Sequence, residues 1–251
     1  MRGVDISHWQ KGLTIRQLRE AGFAFAILKV TEGTGLVDDV AFPFYREAYE
    51  LGFPTGCYCY SHALTPEAAR DEAWKLLETI NGFPMPCGVF LDMEAPEQLA
   101  LPAGALFEIA CAWCAEVSAA GYVPGIYGSD RCIWAKLDPG ALPDGTIIWV
   151  ARYGPEPDTP CDLWQASETG SVPGFAGAVD IDQVRSAYFE RLVKGVAPDQ
   201  ALPRDDVTDT DVGDKPDISD ALGLLAAYLQ TEEFRKNFVK FLKGSVRNEH
   251  T

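Results

Sequence analysis

The stretch CGVFLDMEAP, residues 87–96, ends an apolar run in two carboxylates that stand one residue apart. The apolar residues 89–91 are typical of a buried β-strand. Side chains at positions i and i+2 of a strand point to the same face, so Asp92 and Glu94 are expected to point the same way, and Pro96 is expected to end the strand. Two like charges this close raise the pKa of one another, which allows one carboxyl to stay protonated as an acid. A solvated surface turn is the alternative, and the buried strand before the pair favours a functional site.

Strand-like and helix-like segments alternate on both sides of this stretch. The other predicted strands are RGVDIS, FAFAILKV, TGCYCYS, YVPGIYG, TIIWVARY, DLWQAS and AVDIDQV, and the helix-like segments are TIRQLREAG, FPFYREAYELG, TPEAARDEAWKLLETI and GALFEIACAWCAEVSAAG. This alternation predicts an α/β fold with a parallel sheet. About eight strands in about 195 residues favour an irregular eight-stranded TIM-like β/α barrel with reduced helices near its C-terminal strands. A doubly wound open sheet is the alternative, which the lack of a Gly-rich loop after the first strand disfavours.

Further acids occur in the predicted first and last strands. Asp5 follows RGV, and Asp180 follows GAV. Barrel closure places the first and last strands side by side, and the carboxyl ends of barrel strands form the active-site mouth. We therefore expect Asp5 and Asp180 to be neighbours, with Asp92 and Glu94 across the mouth.

The residues that accompany the four acids limit the kinds of reaction that the site could catalyse. The chain has three histidines, at positions 8, 62 and 250, which leaves little for a Ser–His or Cys–His triad. Carboxylates without basic partners fit either a divalent metal site or glycoside hydrolysis. Aromatic residues at the strand ends favour a sugar, because the apolar faces of sugar rings stack on them. No metal or other cofactor is expected to be required.

Composition excludes several other classes. The net charge of −16 argues against a nucleic-acid partner, which would need a basic footprint. No apolar run approaches the roughly 18 residues of a membrane span, so no integral membrane segment is expected. The start MRGVDISHWQ lacks the apolar core of a signal peptide, so synthesis in the cytoplasm is expected. The seven cysteines, an odd number, are expected to be reduced core thiols.

Eight short motifs occur in the order found in glycoside hydrolase family 25 lysozymes, which the chain resembles over about residues 1–190. They are GVDISHWQ, FAILKVTEGTGLVDD, GCYCYSHA, FLDMEAP, GIYG, WVARYG, LWQAS and GAVDID. Each motif is weak alone, but eight in register make the match specific. The resemblance implies a barrel that cuts the β-1,4 bond between N-acetylmuramic acid and N-acetylglucosamine in peptidoglycan, with retention and without a metal.

The resemblance also implies a role for each acid. Glu94 would be the general acid and then the base, and Asp92 would orient or stabilise the 2-acetamido group of the substrate. Asp5 and Asp180 would line the site and tune Glu94. Whether an Asp or the acetamido oxygen attacks the sugar stays open here, because the separation of the carboxylates cannot be read from the sequence.

Aromatic and polar residues at the strand ends match positions of the family's substrate cleft. These substrate-binding candidates are Lys29, Tyr58, Tyr60, Tyr127, Trp149, Tyr153, Trp164 and Gln165. Two positions depart from the family: Cys59 stands where His is common, and Asp182 stands where Asn is common. The departures bear on substrate contacts and leave the four acids intact.

Two alternatives stay open at this point. A chitinase-like family 18 barrel also ends a strand in D-x-E, but its pattern needs two further acids where this chain has Cys87 and Phe90. A non-catalytic glycan-binding or virion structural module could use the same barrel. The presence of all four acids favours the enzyme.

The chain changes character after about residue 195. Residues 1–195 are predicted to form the catalytic barrel, residues 196–216 an acidic flexible linker, and residues 217–245 a helical appendage. The apolar stripes of this appendage are too short to own a core, so they need a partner. We favour homo-oligomer formation or partner docking through residues 217–243 over docking on the barrel or contact with an envelope.

A muramidase-like barrel without a signal peptide suggests a phage product. It would be either an endolysin released through a holin or a virion-borne lysozyme, and it would act on the bacterial cell wall after release.

Overall fold

The computed structural model describes residues 1–195. The predicted linker, 196–216, and the predicted helical appendage, 217–245, lie outside the described residues. The strands are β1 (Arg2–Ile6), β2 (Ala26–Glu32), β3 (Leu36–Val37), β4 (Thr55–Tyr60), β5 (Val89–Asp92), β6 (Pro124–Ser129), β7 (Ile147–Ala151), β8 (Leu163–Gly170) and β9 (Val179–Val184). The α-helices are α1 (Ile15–Glu20), α2 (Ala41–Leu51), α3 (Pro66–Ile80), α4 (Pro96–Leu99), α5 (Ala103–Ala119) and α6 (Ala187–Val193).

Eight of these strands close into a barrel. Their order is β1, β2, β4, β5, β6, β7, β8 and β9, and β9 pairs back with β1. Every neighbouring pair from β1 to β8 is parallel. The two-residue β3 folds back antiparallel on β2 and is no part of the closed ring. The closed ring confirms the predicted irregular eight-stranded barrel.

The parallel sheet predicted from the alternation is wrong for β9, which runs antiparallel to both of its neighbours. Only residues 171–178 join β8 to β9. A parallel return needs a crossover of about a dozen residues or more, so this short connection allows only antiparallel pairing. The amino end of β9, and with it Asp180, therefore lies at the same mouth as the carboxyl ends of the other seven strands.

Large side chains fill the barrel interior. Phe90 and Trp149 are fully buried and meet edge to face, with their ring centroids 5.1 Å apart. Gly125 makes room for this pair, because a Cβ at that position would lie 2.2 Å from the Phe90 ring. Aromatic rings contribute much of the buried area of a core, so this cluster provides a rigid floor beneath the acids.

Helices cover the first half of the barrel and are sparse over the second half, as predicted. Among the described residues, the β6–β7 connection holds a 3-10 turn at Pro139–Ala141 and the next two connections hold no helix. Thr65 caps α3, and its side-chain hydroxyl accepts the Ala68 backbone N–H. At the amino end of the barrel, Phe189 of α6 packs against Phe25 with ring centroids 5.3 Å apart. No helix within residues 1–195 is both long and apolar enough to cross a membrane.

All seven cysteines are unpaired thiols. Burial raises the pKa of the Cys57, Cys59 and Cys87 thiols, so they stay neutral and pack as small apolar side chains.

Candidate active site

A cleft opens at the mouth of the barrel. Its lining includes eleven of the twelve site residues predicted from the sequence: Asp5, Lys29, Tyr58, Tyr60, Asp92, Glu94, Tyr127, Trp149, Tyr153, Gln165 and Asp180. Ser7 and Trp9 complete the lining. Strand register places predicted residues of neighbouring strands at the same height along the barrel axis. Tyr60 on β4 pairs with Asp92 on β5, and Asp92 pairs with Tyr127 on β6.

Trp164 is the predicted residue that the structure places elsewhere. It precedes Gln165 on β8, and adjacent residues of a strand point to opposite faces, so Trp164 faces away from the cleft. Its indole N–H donates to the Arg152 carbonyl at 2.8 Å, and the Arg185 guanidinium lies 5.5 Å from its ring centroid. Trp164 therefore packs on the outer side of β8.

Asp92 is the last residue of β5, and Glu94 follows the end of the strand. Both side chains of this D-x-E pair line the cleft. The Met93 N–H donates to the Tyr127 carbonyl at 3.0 Å, which continues the strand geometry to Glu94. Burial is the main cause that raises the pKa of Asp92 well above its usual range, and the charge of Glu94 adds to it. Burial also raises the pKa of Glu94; a hydrogen bond from Tyr127 opposes this shift, and the charge of Asp180 adds to it. Burial therefore outweighs the mutual repulsion that the sequence suggested.

A chain of hydrogen bonds joins Glu94 to Asp5. The Tyr127 hydroxyl lies 3.1 Å from Glu94 Oε1 and 2.9 Å from Gln165 Oε1. The Gln165 side-chain N–H donates to Asp5 Oδ2 at 2.8 Å. The Tyr153 hydroxyl donates to Gln165 Oε1 at 3.1 Å. Gln165, which is predicted from the sequence only as a substrate contact, thus helps to connect Glu94, just after β5, with Asp5 on β1.

Three aspartates meet where β1 joins β9. Asp5 pairs with Asp180, as barrel closure predicted, and Asp182 lies diagonally across from Asp5 because its own pairing partner is Gly3. Asp182 is fully buried, and its Oδ1 accepts the Trp149 indole N–H at 2.9 Å. Burial raises the pKa of all three carboxyls. The predicted site did not include Asp182, although its spacing of two from Asp180 indicates the same strand face.

Lys29 is the cation among the lining residues. Its ammonium lies 2.7 Å from Glu32 Oε2 and 5.2 Å from the Tyr60 ring centroid. Glu32 Oε1 in turn lies 3.2 Å from His62 Nε2. The charge of Lys29 lowers the pKa of Asp92 and so partly opposes the effect of burial. Lys29, predicted from the sequence as a substrate contact, therefore also acts electrostatically on Asp92.

Ser7 and Trp9 are lining residues that the sequence did not assign. Ser7 caps the 3-10 turn that carries Trp9. The Trp9 side chain is 78% exposed, and its ring centroid lies 4.5 Å from that of His8. The His8 backbone N–H donates to Asp38 Oδ2 at 3.1 Å, which ties this turn to the segment after β3. The signal available in the sequence was the Trp within the motif GVDISHWQ.

The cleft offers buried, protonatable carboxyls beside aromatic faces. Within residues 1–195, no three His, Cys, Asp or Glu side chains are arranged to hold a metal ion. Carboxyls with raised pKa values can donate and accept protons near neutral pH, and aromatic faces bind sugar rings. The arrangement therefore suits acid–base cleavage of a glycosidic bond.

A sequence model of the family described as glycosyl hydrolases family 25 matches residues 4–175. The matched range contains Asp5, Asp92 and Glu94, and Asp180 lies just beyond it.

Named relatives and a solved structure match about three quarters of the chain. The autolytic lysozyme of Clostridium acetobutylicum is 27% identical over 196 residues, which cover 73% of this chain and 55% of the relative. Lysozyme M1 of Streptomyces globisporus is 29% identical over 199 residues, which cover 72% of this chain and 66% of the relative. The structure of the CTP1L endolysin matches with a TM-score of 0.66 and 25% identity, covering 77% of this chain and 69% of that one. The chain thus spans between about half and two thirds of the length of the two lysozymes.

Proposed function

The chain belongs to glycosyl hydrolase family 25, and from this premise we propose that it is a peptidoglycan hydrolase, a 1,4-β-N-acetylmuramidase. The bond cut is the β-1,4 linkage between N-acetylmuramic acid and N-acetylglucosamine, with retention of configuration. The observation that carries the proposal is the convergence of Glu94, Asp92, Asp5 and Asp180 in one cleft of the family's barrel. The names of the two lysozyme relatives support the substrate class.

Glu94 acts first as the general acid and then as the base. The first step needs a protonated carboxyl at neutral pH, and burial together with the charge of Asp180 raises the pKa of Glu94. The proton passes to the glycosidic oxygen as its bond to the anomeric carbon breaks, while the attacking group, either the substrate's acetamido oxygen or an Asp carboxylate, forms a bond to that carbon. In the second step, ionised Glu94 takes a proton from a water molecule, whose oxygen bonds to the anomeric carbon and displaces the group that attacked in the first step. The Tyr127 hydroxyl, 3.1 Å away, stabilises the ionised form of Glu94.

Asp92 orients the 2-acetamido group of the substrate. Its side chain is 5% exposed, and its Oδ1 has no hydrogen-bond partner within residues 1–195. A buried oxygen without a donor is costly, and the acetamido N–H is a donor of the right kind. The neighbouring charge of Lys29 favours the ionised form of Asp92, which is the form that accepts this hydrogen bond.

Aromatic side chains hold the sugar rings. Tyr58, Tyr127 and Trp149 lie deep in the cleft, whereas Tyr153 and Trp9 are 47% and 78% exposed. Exposed rings at the edge of a cleft offer stacking faces to a polymer that extends beyond the scissile bond. Peptidoglycan strands are such polymers.

We also propose that the protein is a phage lysin that is made in the host cytoplasm and acts on the bacterial cell wall after release. The likeness to the CTP1L endolysin supports this origin. Lysis from within that depends on a co-expressed holin would be the expected behaviour of an endolysin. Lysis without one would contradict holin-dependent release.

The decisive experiment is digestion of purified peptidoglycan by the wild type and by Glu94→Gln. We expect the variant to lose roughly 10²- to 10⁴-fold in turnover, because the amide keeps the shape and removes the proton donor. Glu97→Gln, an exposed carboxyl three positions along the chain, is the matched control and should digest like the wild type. Mass analysis should show muramic acid at the new reducing ends, and NMR of fresh products should show the β-anomer. Near wild-type turnover in Glu94→Gln would rule out Glu94 as the acid.

A further inference from the structure

We propose that Asp5 and Asp182 share one proton, and that Asp182 is thereby a positioning residue that holds Asp5 as a hydrogen-bonded member of the cleft floor. The role in the reaction rests on the proposed muramidase function. The shared proton itself is a property of the folded barrel and can be tested without any activity.

The two oxygens of Asp182 have different surroundings. Oδ1 accepts the Trp149 indole N–H at 2.9 Å. Oδ2 is buried, and no N–H or O–H group in the described part of the chain donates to it. The residue has no exposed surface through which bulk water could reach it. A buried carboxylate oxygen without a donor is strongly disfavoured, so a protonated neighbouring carboxyl is the partner that this oxygen requires.

Asp5 is placed to supply that donor. It lies diagonally across the β1–β9 pair from Asp182, within hydrogen-bond reach. Its Oδ2 already accepts the Gln165 side-chain N–H at 2.8 Å. A proton on its other oxygen, Oδ1, is then free to be donated to Asp182 Oδ2. The ring of Phe25 lies against Gly3, the residue directly opposite Asp182, so the surroundings on this side are apolar. Apolar surroundings favour one shared proton over two buried charges.

Asp180 is the competing partner, because it pairs with Asp5 across the strands and its carboxyl is also within hydrogen-bond reach of Asp5. Its side chain is half-buried and lines the cleft, where water can solvate its carboxylate. Asp182 has no such access to water. The proton is therefore assigned to the buried pair, because the Asp180 carboxylate keeps contact with water in the cleft.

Within the described part of the chain, the titratable groups that face the pair give no positive charge to stabilise a second carboxylate. Besides Asp182, those that act on Asp5 or respond to its charge are Asp180 on β9, Tyr58 on β4, Tyr127 on β6 and Tyr153 after β7. Glu94 lies beyond them on the far side of Tyr127. The cleft cation, Lys29, is engaged by Glu32 at 2.7 Å. One proton on the pair thus removes one negative charge from the floor of an acidic site.

The shared proton also fixes the orientation of Asp5, which a chain of hydrogen bonds connects to Glu94. Asp5 holds Gln165 through the side-chain N–H, and Gln165 Oε1 then faces the Tyr127 hydroxyl at 2.9 Å. Because Tyr127 also contacts Glu94, the orientation of Asp5 is passed along this chain to the acid.

NMR titration of the aspartate carboxyl carbons in the full-length protein tests the proton directly. We expect one of the two carboxyls of Asp5 and Asp182 to be protonated at about pH 7, although aspartates usually titrate near about 3.5. In Asp182→Asn we expect Asp5 to be ionised, because the amide now donates to it. Two ionised carboxyls at about pH 7 in the wild type would overturn the proposal.

Kinetics with two variants test the positioning role. Asp182→Asn keeps an acceptor for Trp149 and a donor for Asp5, whereas Asp182→Leu supplies neither. We expect turnover to fall roughly 10²-fold in the Leu variant, as for a misplaced active-site group, and to be largely recovered in the Asn variant. The alkaline limb of the kcat/KM profile should stay in place in Asp182→Asn, because the pair keeps a single negative charge.

A shift of that limb to lower pH in Asp182→Asn would show that both carboxyls were charged in the wild type, and the proposal would be wrong. Circular dichroism checks that each variant is folded. If the Leu variant does not fold, the comparison of wild type with Asp182→Asn still decides the matter. If the wild type digests no peptidoglycan, the proposed function fails, and the NMR titration still decides whether the proton is shared.

Discussion

The Tyr127 hydroxyl lies 3.1 Å from Glu94 Oε1 and has one proton for two oxygen neighbours. While Glu94 is ionised, this proton stabilises its carboxylate. When Glu94 is protonated, the carboxyl can donate to the phenol oxygen, and Tyr127 can then donate to Gln165 Oε1 at 2.9 Å. The direction of this short hydrogen-bonded chain therefore follows the protonation state of Glu94.

Tyr127→Phe should raise the pKa of Glu94, because the hydrogen bond from Tyr127 lowers it in the wild type. The alkaline limb of kcat/KM should move to higher pH, since the first step needs protonated Glu94. Turnover should fall by about tenfold, equivalent to ~1.4 kcal/mol, because the ionised base of the second step loses a donor. Tyr153→Phe is the matched control: it removes a hydroxyl that contacts Gln165 and not Glu94. An equal shift of the limb in both variants would contradict the assignment.

Removal of the charge of Lys29 and removal of the charge of Glu32 should move the acid limb of the kcat/KM profile in opposite directions. The charge of Lys29 lowers the pKa of Asp92, and the charge of Glu32 raises it. If the reaction needs ionised Asp92, Lys29→Met should move the acid limb to higher pH and Glu32→Gln should move it to lower pH. Lys29→Arg, which keeps the charge, should stay close to the wild type. Shifts of the same sign in the Met and Gln variants would show that Asp92 does not set this limb.

Glu94→Gln should stabilise the fold at neutral pH. The pKa of Glu94 is raised in the folded state, so this carboxyl favours folding below its unfolded pKa of about 4.3, and that contribution is lost as pH rises through the folded value. Replacement by an amide removes a group that ionises more readily in the unfolded chain than in the folded one, and with it the cost to folding at neutral pH. Urea unfolding should show a higher midpoint for Glu94→Gln at about pH 7 and a smaller difference near pH ~4, whereas Glu97→Gln should show little change at either pH. A lower midpoint at neutral pH would refute the sign of the shift.

Chelation should leave activity unchanged. The Lys29 ammonium already supplies positive charge beside Asp92 and Glu32, in the place where a cation would act on the D-x-E pair. Peptidoglycan digestion in excess chelator should match digestion in buffer alone. Loss of activity that Mg²⁺ or Ca²⁺ restores would indicate a metal-dependent hydrolase instead.

The barrel and the meeting of the acids could be predicted because both follow from local patterns and closure. The direction of β9 was mispredicted because it depends on the length of one connection, residues 171–178. The family resemblance predicts both Trp164 and Gln165 in the cleft, but adjacent residues of a strand point to opposite faces, so only Gln165 lies there. The isolation of Asp182 Oδ2 depends on burial from several strands at once, which no single segment encodes.

Deletion of residues 197–251 should leave a folded and active barrel. All nine described strands, the four acids and Lys29 precede the cut. The deleted segment, which lies outside the described residues, carries the predicted acidic linker and the two apolar stripes of the predicted appendage. Helices of this length are marginal in water without packing, so the stripes need a partner, and we expect that partner to be a second copy. Light scattering should give a dimer or larger species for the full chain and a monomer for the truncated one, with equal digestion rates. Monomers in both samples would rule out self-association, and loss of activity on truncation would place part of the working site in the deleted segment.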